Sequence, residues 1–339
     1  MKRKILFILA ILPLLTFAGE PGKIKLIVVP DTQNNADKYP EVFNAEFDWI
    51  AANASDYDFV LHVGDVVESS SNATQWSFAK SNFDKLKGKI PYAFCMGNHD
   101  VSIKENTAAN ATADLRVSTA ANNAFKASDF EAFGGAYEQG KIDNTYHLFS
   151  AGGYDWLVVS IEFVPNDLVL NWANKVIEEH PDRLAIILTH SYMHYGSNTD
   201  ACSRDNRVKG TSDWRKFTAS YENKTPESML NDGEMIWNKL VSKHKNVFAV
   251  FSGHILGSGT AKLVSFGENM NKVYQMMSNY QNQVREMNDE GKNGYIRLIT
   301  IDPQAQTINV RTWSPFLNQY HPNNIRHNFR FGGVDLSEY

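Results

Sequence analysis

Short runs of apolar residues recur along this chain, and polar or turn-forming residues bound each run. The runs are rich in β-branched and aliphatic side chains, which is typical of strands buried on both faces of a sheet. Five of them lie at residues 24–29, 59–63, 92–96, 184–188 and 247–251. Four later runs predict hairpin-like strands at residues 261–266, 272–277, 295–302 and 307–313.

Several segments between the strands repeat apolar residues every three or four positions, which is the spacing of one helix face. Three such stripes are Phe43, Phe47, Ile50 and Ala51; Leu170, Ala173, Val176 and Ile177; and Met229, Met235, Ile236 and Leu240. The alternation of strands and helices predicts an α/β layered fold.

Polar side chains follow five of the predicted strands, at the point where each strand ends. They are Asp31 and Gln33; Asp65; Asn98, His99 and Asp100; His190; and His254. Because ligands of open α/β sheets bind at the carboxyl ends of the strands, we expect these side chains to converge on one edge. Two carboxylates, an amide carbonyl and two imidazoles together predict a site for divalent metal ions.

The spacing of these residues strengthens the prediction, since each residue alone is a weak signal. A single histidine or aspartate at a strand end is more often a structural residue or part of a turn. The intervals from Asp31 to Asp65 and from Asp65 to Asn98, however, each leave room for a helical crossover to a parallel neighbour. Gly64, Gly97 and Gly253 suit sharp turns beside the ligands.

The order of these motifs resembles the calcineurin-like metallophosphoesterases over roughly residues 24–315, and Gly97-Asn98-His99-Asp100 is the most specific element. The resemblance implies a four-layer αββα sandwich with two metal ions at the sheet edge. It implies that Asp65 bridges the ions and that Asp31 belongs to one site. Asn98, His190 and His254 complete the other site. His99 then faces the leaving-group oxygen, and Asp100 orients it.

The chain departs from the family pattern at two positions. Gln33 stands where the family usually has histidine, and Leu256 stands where the last motif usually has a second histidine. Both changes affect the site of Asp31. We therefore expect an asymmetric pair: Zn, Fe or Mn in the histidine-containing site, and a weaker Mg, Mn or Ca in the oxygen-only site. His194, Asn279 or Gln281 is an alternative source of the missing ligand.

The resemblance implies a metal-dependent phosphoesterase, a phosphodiesterase or a phosphomonoesterase, in which a metal-activated hydroxide attacks in line. Two alternatives stay open: a ligand-binding protein on a weakened scaffold of this kind, and a hydrolase of a non-phosphate ester. Candidate substrate contacts are His194, Asn279, Tyr280 and Gln281, although the segment from 278 to 283 also reads as a hairpin turn. The net charge of −5 and the lack of a basic cluster predict a small or glycan-like phosphoester and no nucleic-acid surface.

The N-terminus has the pattern of a signal peptide. Three basic residues precede an apolar run, and small residues end it near Ala18, so residues 1–18 predict export to the periplasm or the exterior. We expect no stable membrane span after its removal. Residues 19–339 are expected to form one domain with insertions near 101–145 and 191–226, and the oligomeric state is left open. Cys95 reads as a buried thiol, and a bridge to Cys202 stays open.

Overall fold

A computed structural model of the chain describes residues 22–101, 118–195, 202–204, 230–256, 258–281, 293–322 and 325–339 of the 339 residues. The predictions for residues 1–18, and for Met229 in the third helical stripe, lie outside the described residues.

The strands and helices are numbered in chain order. The strands are β1 (Ile24–Val29), β2 (Phe59–His62), β3 (Tyr92–Phe94), β4 (Phe133–Ala136), β5 (Thr145–Ala151), β6 (Tyr154–Ser160), β7 (Leu184–Leu188), β8 (Met193–Tyr195), β9 (Cys202–Arg204), β10 (Val247–Ser252), β11 (Thr260–Phe266), β12 (Lys272–Ser278), β13 (Ile296–Asp302), β14 (Thr307–Ser314), β15 (Gln319–Tyr320) and β16 (Phe329–Gly332). The helices are α1 (Gln33–Asp37), α2 (Pro40–Ala52), α3 (Ala73–Phe83), α4 (Thr119–Ala124), α5 (Asp167–Glu178) and α6 (Gly233–Lys239).

Most of the strands form two seven-stranded sheets. The first sheet has the order β15-β14-β13-β1-β2-β3, and β16 also pairs with β14. The second sheet has the order β11-β12-β10-β7-β6-β5-β4, and β8 and β9 form a separate two-stranded ribbon. β1, β2 and β3 are parallel to one another, as are β6, β7, β10 and β12 in the second sheet. Within each sheet, therefore, the strands that precede the candidate ligands have their carboxyl ends at the same edge.

The two sheets pack face to face, with helices on both outer surfaces. One hydrophobic core lies between the sheets and joins residues such as Leu26 and Leu61 to Val158 and Ile186. A second core packs α2 and α3 on the first sheet, and a third packs α5 and α6 on the second. The predicted four-layer αββα sandwich is confirmed.

The crossover helices begin at residues suited to a helix N-terminus. Pro40 occupies the first turn of α2, where its missing N–H is not needed. The Asn72 side chain caps α3 by accepting hydrogen bonds from the backbone N–H groups of Thr74 and Gln75. These helices carry the chain from β1 to β2 and from β2 to β3, which is the connection expected from the motif spacing.

The described parts of the two predicted insertions are built into the fold. Residues 118–145 include α4 and β4, the edge strand of the second sheet, and Phe125 and Phe130 from this segment lie in the core. Residues 202–204 form β9 against β8. Residues 102–117, 196–201 and 205–226 lie outside the described part of the chain.

Two further predictions concern covalent and membrane features. Cys95 is a buried thiol in the core between the sheets, and no disulfide joins it to Cys202. Among the described helices, none combines the length and the apolar character that crossing a bilayer requires.

Candidate metal centre

The candidate ligands come from the ends of strands in both sheets. Asp31, Asp65 and Asn98 follow β1, β2 and β3 of the first sheet, whereas His190 and His254 follow β7 and β10 of the second. One ligand atom each from Asp65, His190 and His254 lies within 4.8 Å of the other two. The site therefore forms where the edges of the two sheets meet.

Glycines allow the loops that carry these ligands to approach one another. A Cβ atom on Gly97 would lie 2.2 Å from Asp65 Oδ1, and one on Gly253 would lie 2.3 Å from Asp31 Oδ2. Gly64 differs, because its φ of +92° is itself a conformation that favours glycine. Asp65 and His254 also have positive φ values, 51° and 68°. Such backbone conformations are unfavourable for residues with a side chain and cluster at functional sites.

The His190 imidazole gives the clearest sign that a cation belongs here. Its Nδ1 lies 2.8 Å from the Val63 carbonyl oxygen, which can only accept, so Nδ1 carries a proton. In the neutral ring, Nε2 is then an unprotonated nitrogen. It faces Asp65 Oδ2 at 3.1 Å, Asn98 Oδ1 at 3.2 Å and Asp31 Oδ1 at 3.8 Å. Lone pairs directed at one another repel, so this arrangement requires a proton or a metal ion among these atoms.

The pKa values of the cluster show the same demand for positive charge. Burial alone would lower the pKa of His190, but the carboxylates of Asp65 and Asp31 raise it to about 9. Burial raises the pKa of Asp31 to about 8, although the charge of His190 opposes this shift. Burial alone would raise the pKa of Asp65, but His190 holds the pKa of that carboxyl below its usual range. Without metal, a proton on His190 thus supplies the positive charge that a divalent ion would supply when bound.

Asp31 is fixed by donors from the second sheet. Its Oδ1 accepts the His254 backbone N–H at 3.0 Å and an amide N–H of the Asn279 side chain at 3.1 Å. The Asn279 side-chain oxygen in turn accepts the Gln281 backbone N–H. Asn279 therefore orients Asp31, and its role as a substrate contact or a replacement ligand stays a prediction. A metal-binding carboxylate held in this way is pre-oriented for its ion.

His99 and Asp100 are also at this edge. The Asp100 carboxylate accepts backbone N–H groups of Val66, Val67 and Gly97, because the turn from Gly97 to Asp100 folds it back on these loops. Asp100 therefore secures the loops of Asp65 and Asn98, and the prediction that it also orients His99 stays a prediction. Burial raises the pKa of Asp100 to about 7.

Glu68, which the sequence reasoning missed, holds His99. His99 Nδ1 lies 3.0 Å from the Glu68 carbonyl oxygen and 3.4 Å from its carboxylate. The His99 backbone N–H donates to Asp65 Oδ1 at 2.8 Å. Burial alone would lower the pKa of His99, but Asp65 and Glu68 raise it above its ordinary value. The only signal in the sequence was an acid three residues after Asp65.

Comparison with known protein families matches residues 24–258 to the family described as calcineurin-like phosphoesterase. The chain belongs to this family. Calcineurin-like phosphoesterases are metal-dependent hydrolases of phosphoesters, and membership implies a dinuclear metal centre. The ligands described above fit that requirement, because carboxylate oxygen, amide oxygen and imidazole nitrogen donors surround one point.

The chain is also similar to two known proteins, one in sequence and one in fold. A Bacillus subtilis (strain 168) protein described as "Uncharacterized protein YvnB" is 29% identical over 297 residues, which are 85% of this chain and 19% of the relative. The chain thus spans about a fifth of that relative's length. The structure of purple acid phosphatase PPD1 from yellow lupin seeds is similar with a TM-score of 0.56 and 12% identity, covering 93% of this chain and 55% of that one. This likeness concerns the fold alone.

Gln33 and Leu256, the departures from the calcineurin-like pattern, differ in their surroundings. The Gln33 side chain is buried, and within the described residues its oxygen Oε1 has no hydrogen-bond partner. A buried amide oxygen without a partner is unfavourable, and it is a suitable donor for a hard metal ion. Leu256, by contrast, is 41% exposed and offers no donor. The Asp31 side of the centre is therefore poorer in ligands than the histidine side.

The remaining substrate candidates fall into different environments. Tyr280 is 3% exposed, and its hydroxyl lies 3.0 Å from His327 Nδ1, and the prediction of a substrate contact at this residue stays a prediction. His194 lies in β8 opposite Ser203, and within the described residues it does not join the metal-capable group. Gln281 is 8% exposed, and its carbonyl oxygen accepts a hydrogen bond from Asn34. It stays a candidate substrate contact.

Proposed function

We propose that this chain is a metal-dependent phosphoesterase that hydrolyses phosphodiesters or phosphomonoesters at the joined edges of its two sheets. The observation that carries the proposal is the His190 arrangement, in which Nε2 faces oxygens of Asp65, Asn98 and Asp31. The proposal also draws on membership of the calcineurin-like phosphoesterase family.

The ligand side chains divide between two ions. Asp65 would contact both ions, Asn98, His190 and His254 would help to hold one of them, and Asp31 and Gln33 would help to hold the other. When bound, such ions polarise phosphoryl oxygens and lower the pKa of water. The bond from His190 Nδ1 to Val63 keeps the lone pair of Nε2 directed at the centre.

His99 is the candidate proton donor to the leaving group. Its Nδ1 is bound to Glu68, so Nε2 is the nitrogen that can reach a leaving-group oxygen. The raised pKa of His99 favours the protonated ring, which is the form that can donate. A protein that only bound a ligand would have no use for a held acid at this position, which favours the hydrolase over the binding alternative.

A substrate panel tests this function. The metal-free protein is assayed with bis-p-nitrophenyl phosphate, p-nitrophenyl phosphate and p-nitrophenyl sulfate, each with Mn²⁺, Zn²⁺, Mg²⁺ or no metal. We expect metal-dependent release of p-nitrophenol from a phosphoester, its loss in Asp65→Asn, and its retention in Asp56→Asn, which alters an exposed acid. Inactivity throughout would support a binding protein, and turnover of the sulfate alone would support a non-phosphate hydrolase.

We further propose that the two metal sites differ in strength, with the site of Asp31 and Gln33 the weaker one. Its donors are all oxygens, which suit Mg²⁺, Mn²⁺ or Ca²⁺, whereas the site of His190 and His254 suits Zn²⁺, Fe or Mn²⁺. Metal analysis after dialysis should find one ion retained and the other depleted. Two equally retained zinc ions would contradict the proposal.

We also propose export and a small or glycan-like substrate. The basic and apolar pattern of residues 1–18 supports the first, and the net charge of −5 without a basic cluster supports the second. Mass spectrometry of the protein from its host should find a mature N-terminus near Gly19. An intact Met1 in the cytoplasmic fraction would contradict export.

A further inference from the structure

Arg297 is a fully buried cation at the edge where the metal centre forms. It lies in β13, opposite Val28 of β1, and Val28 precedes Asp31 by three residues. Ile299 and Ile301, on the same face of β13, belong to the core between the sheets. Strand alternation therefore directs the Arg297 side chain across this core toward the second sheet. Its exposed fraction is 1%.

The guanidinium group of Arg297 binds the second sheet through three neutral acceptors. Nη1 donates to the Met277 carbonyl oxygen at 2.9 Å, and Nη2 donates to the Tyr280 hydroxyl at 3.3 Å. Nη2 also donates to the Thr260 hydroxyl. Among the described residues, no carboxylate lies within ion-pair distance of Arg297. Burial of an unpaired charge is unfavourable, so this arrangement calls for an explanation other than stability.

The residues that Arg297 holds lie on both sides of Asn279. Met277 and Tyr280 flank it in sequence, and Thr260 pairs with Ser278 across β11 and β12. The Asn279 backbone N–H is bound to the Gly259 carbonyl oxygen, and its side chain donates to Asp31 Oδ1 at 3.1 Å. Arg297 thus fixes the segment that follows β12. In the described residues, this segment reaches the Asp31 carboxylate through Asn279.

We propose that Arg297 is a positioning residue for the Asp31 side of the metal centre. It acts through Asn279: the guanidinium fixes Met277 and Tyr280, and the segment between them sets the Asn279 amide on Asp31. The Asp31 carboxylate then presents its free lone pairs to the ion in one orientation. The inference rests on the metal centre of the proposed function, not on the reaction catalysed there.

Metal binding by Arg297→Lys tests the inference. Lysine keeps the charge, but a single ammonium group cannot reach all three acceptors in the geometry of the guanidinium fork. The matched control is Arg204→Lys. Arg204 is a partly buried arginine that also joins elements, through Glu234 and Ser265, and neither partner is a candidate ligand. Each protein is first freed of metal with a chelator and is then titrated with Mn²⁺ in a calorimeter, which gives the affinity for each ion separately.

We expect Arg297→Lys to weaken the binding of one ion about 10- to 100-fold, which is the usual effect of losing a residue that orients a ligand. The other ion should bind as in the wild type, and both should bind normally in Arg204→Lys. Asn279→Ala should weaken the same ion, and adding Arg297→Lys to it should have little further effect.

Several results would overturn the inference. They are unchanged binding of both ions in Arg297→Lys, an equal loss of both ions, additive effects of Arg297→Lys and Asn279→Ala, or a wild-type protein that takes up only one ion. If Arg297→Lys does not fold, Tyr280→Phe removes one acceptor and should weaken the same ion by a smaller factor, and unchanged binding there would count against the inference. Wild-type protein that binds two ions yet hydrolyses no ester would refute only the proposed function.

Discussion

Glu68 and His99 form the pair of residues on which the proton-transfer role depends. The Gln75 side-chain oxygen accepts the backbone N–H groups of Glu68 and Ser69, and its amide nitrogen donates to Asp37. These hydrogen bonds hold the loop that carries Glu68 independently of the contact between Glu68 and the His99 ring. This chain of contacts gives the histidine one orientation relative to Asp65.

Glu68→Gln should impair hydrolysis most for substrates with poor leaving groups. An alkoxide needs a proton as it departs, whereas p-nitrophenolate does not, and general-acid catalysis contributes about 10²- to 10⁴-fold. We expect turnover of an alkyl phosphoester to fall at least about tenfold and turnover of the p-nitrophenyl ester to change little. Steady-state kinetics with both substrates measures this.

His99→Ala is the control for the Glu68 prediction. It should show the same dependence on leaving group with metal content intact, and Glu68→Gln should add nothing to it. An equal loss on both substrates would assign Glu68 a purely structural role, and loss of bound metal in His99→Ala would make His99 a ligand.

Gly97→Ala should damage the metal centre by steric overlap. The added methyl group would lie 2.2 Å from Asp65 Oδ1 and 2.3 Å from the Asp65 backbone nitrogen, neither of which is at the end of a flexible side chain. We expect a loss of about 1–3 kcal/mol in the free energy of unfolding, together with weaker metal retention. Gly332→Ala, which meets nothing within 4 Å, should be nearly neutral in the same denaturation experiment.

Helix α3 shows how a single element supports the site. Asn72 caps the helix, and Gln75 in its first turn holds the Glu68 loop. Asn72→Ala should lower the free energy of unfolding by about 1 kcal/mol, because two N–H groups lose their acceptor. Asn72→Asp keeps an acceptor and should be close to wild type in urea denaturation. Equal destabilisation by both substitutions would show that the cap is not the cause.

The sequence was informative about elements with a strong pattern. The runs that became β1, β2, β7 and β10 are buried except at Lys25, and candidate polar ligands follow each of them, so both strand and strand end were predictable. The stripes of α2 and α5 were equally clear, because each has a buried face against a sheet.

Short and irregular elements were not predictable in the same way. β4 is a four-residue edge strand with two glycines, and the Tyr146 ring packs against these glycines. Its sequence does not show the alternation of apolar and polar residues that is typical of a strand. The contact of Asn279 with Asp31 joins residues 248 positions apart on different sheets. No local pattern specifies such a contact, because it depends on how the two sheets dock.

At the scale of the molecule, a metal ion held by the candidate ligands would join the two sheets. Since the ligands come from both sheets and the unfolded chain lacks the site, metal binding should stabilise the folded state, by about 2.7 kcal/mol at a concentration 100 times the dissociation constant. Chelation should therefore lower the melting temperature, and Mn²⁺ or Zn²⁺ should restore it. The shift should be much smaller in His254→Ala, and an equal shift in that variant would place the stabilising ion elsewhere.

Glu46 should make stability depend on pH. Burial in α2 raises the pKa of Glu46 from its ordinary value of 4.5 to about 8, although a hydrogen bond from Asn35 opposes the shift. The folded state therefore holds a proton that the unfolded state releases above pH 4.5. The contribution of Glu46 is complete below that pH and is lost as the pH rises through about 8.

Glu46→Gln should remove this dependence. At pH 8 the variant should be more stable than the wild type by an amount on the order of a few kcal/mol, and at pH 5 the two should be similar. Chemical denaturation at both pH values, with Glu41→Gln on the exposed side of the same helix as control, measures the difference. A constant difference between wild type and Glu46→Gln would contradict the prediction.

The order of the ligands along the chain affects synthesis. The oxygen donors at positions 31, 65 and 98 leave the ribosome first, and both imidazoles, at 190 and 254, leave much later. Of the candidate metal ligands, a chain translated only through residue 98 therefore offers the oxygen donors alone, which bind transition metals poorly. The set of candidate ligands is complete only after translation has passed residue 254.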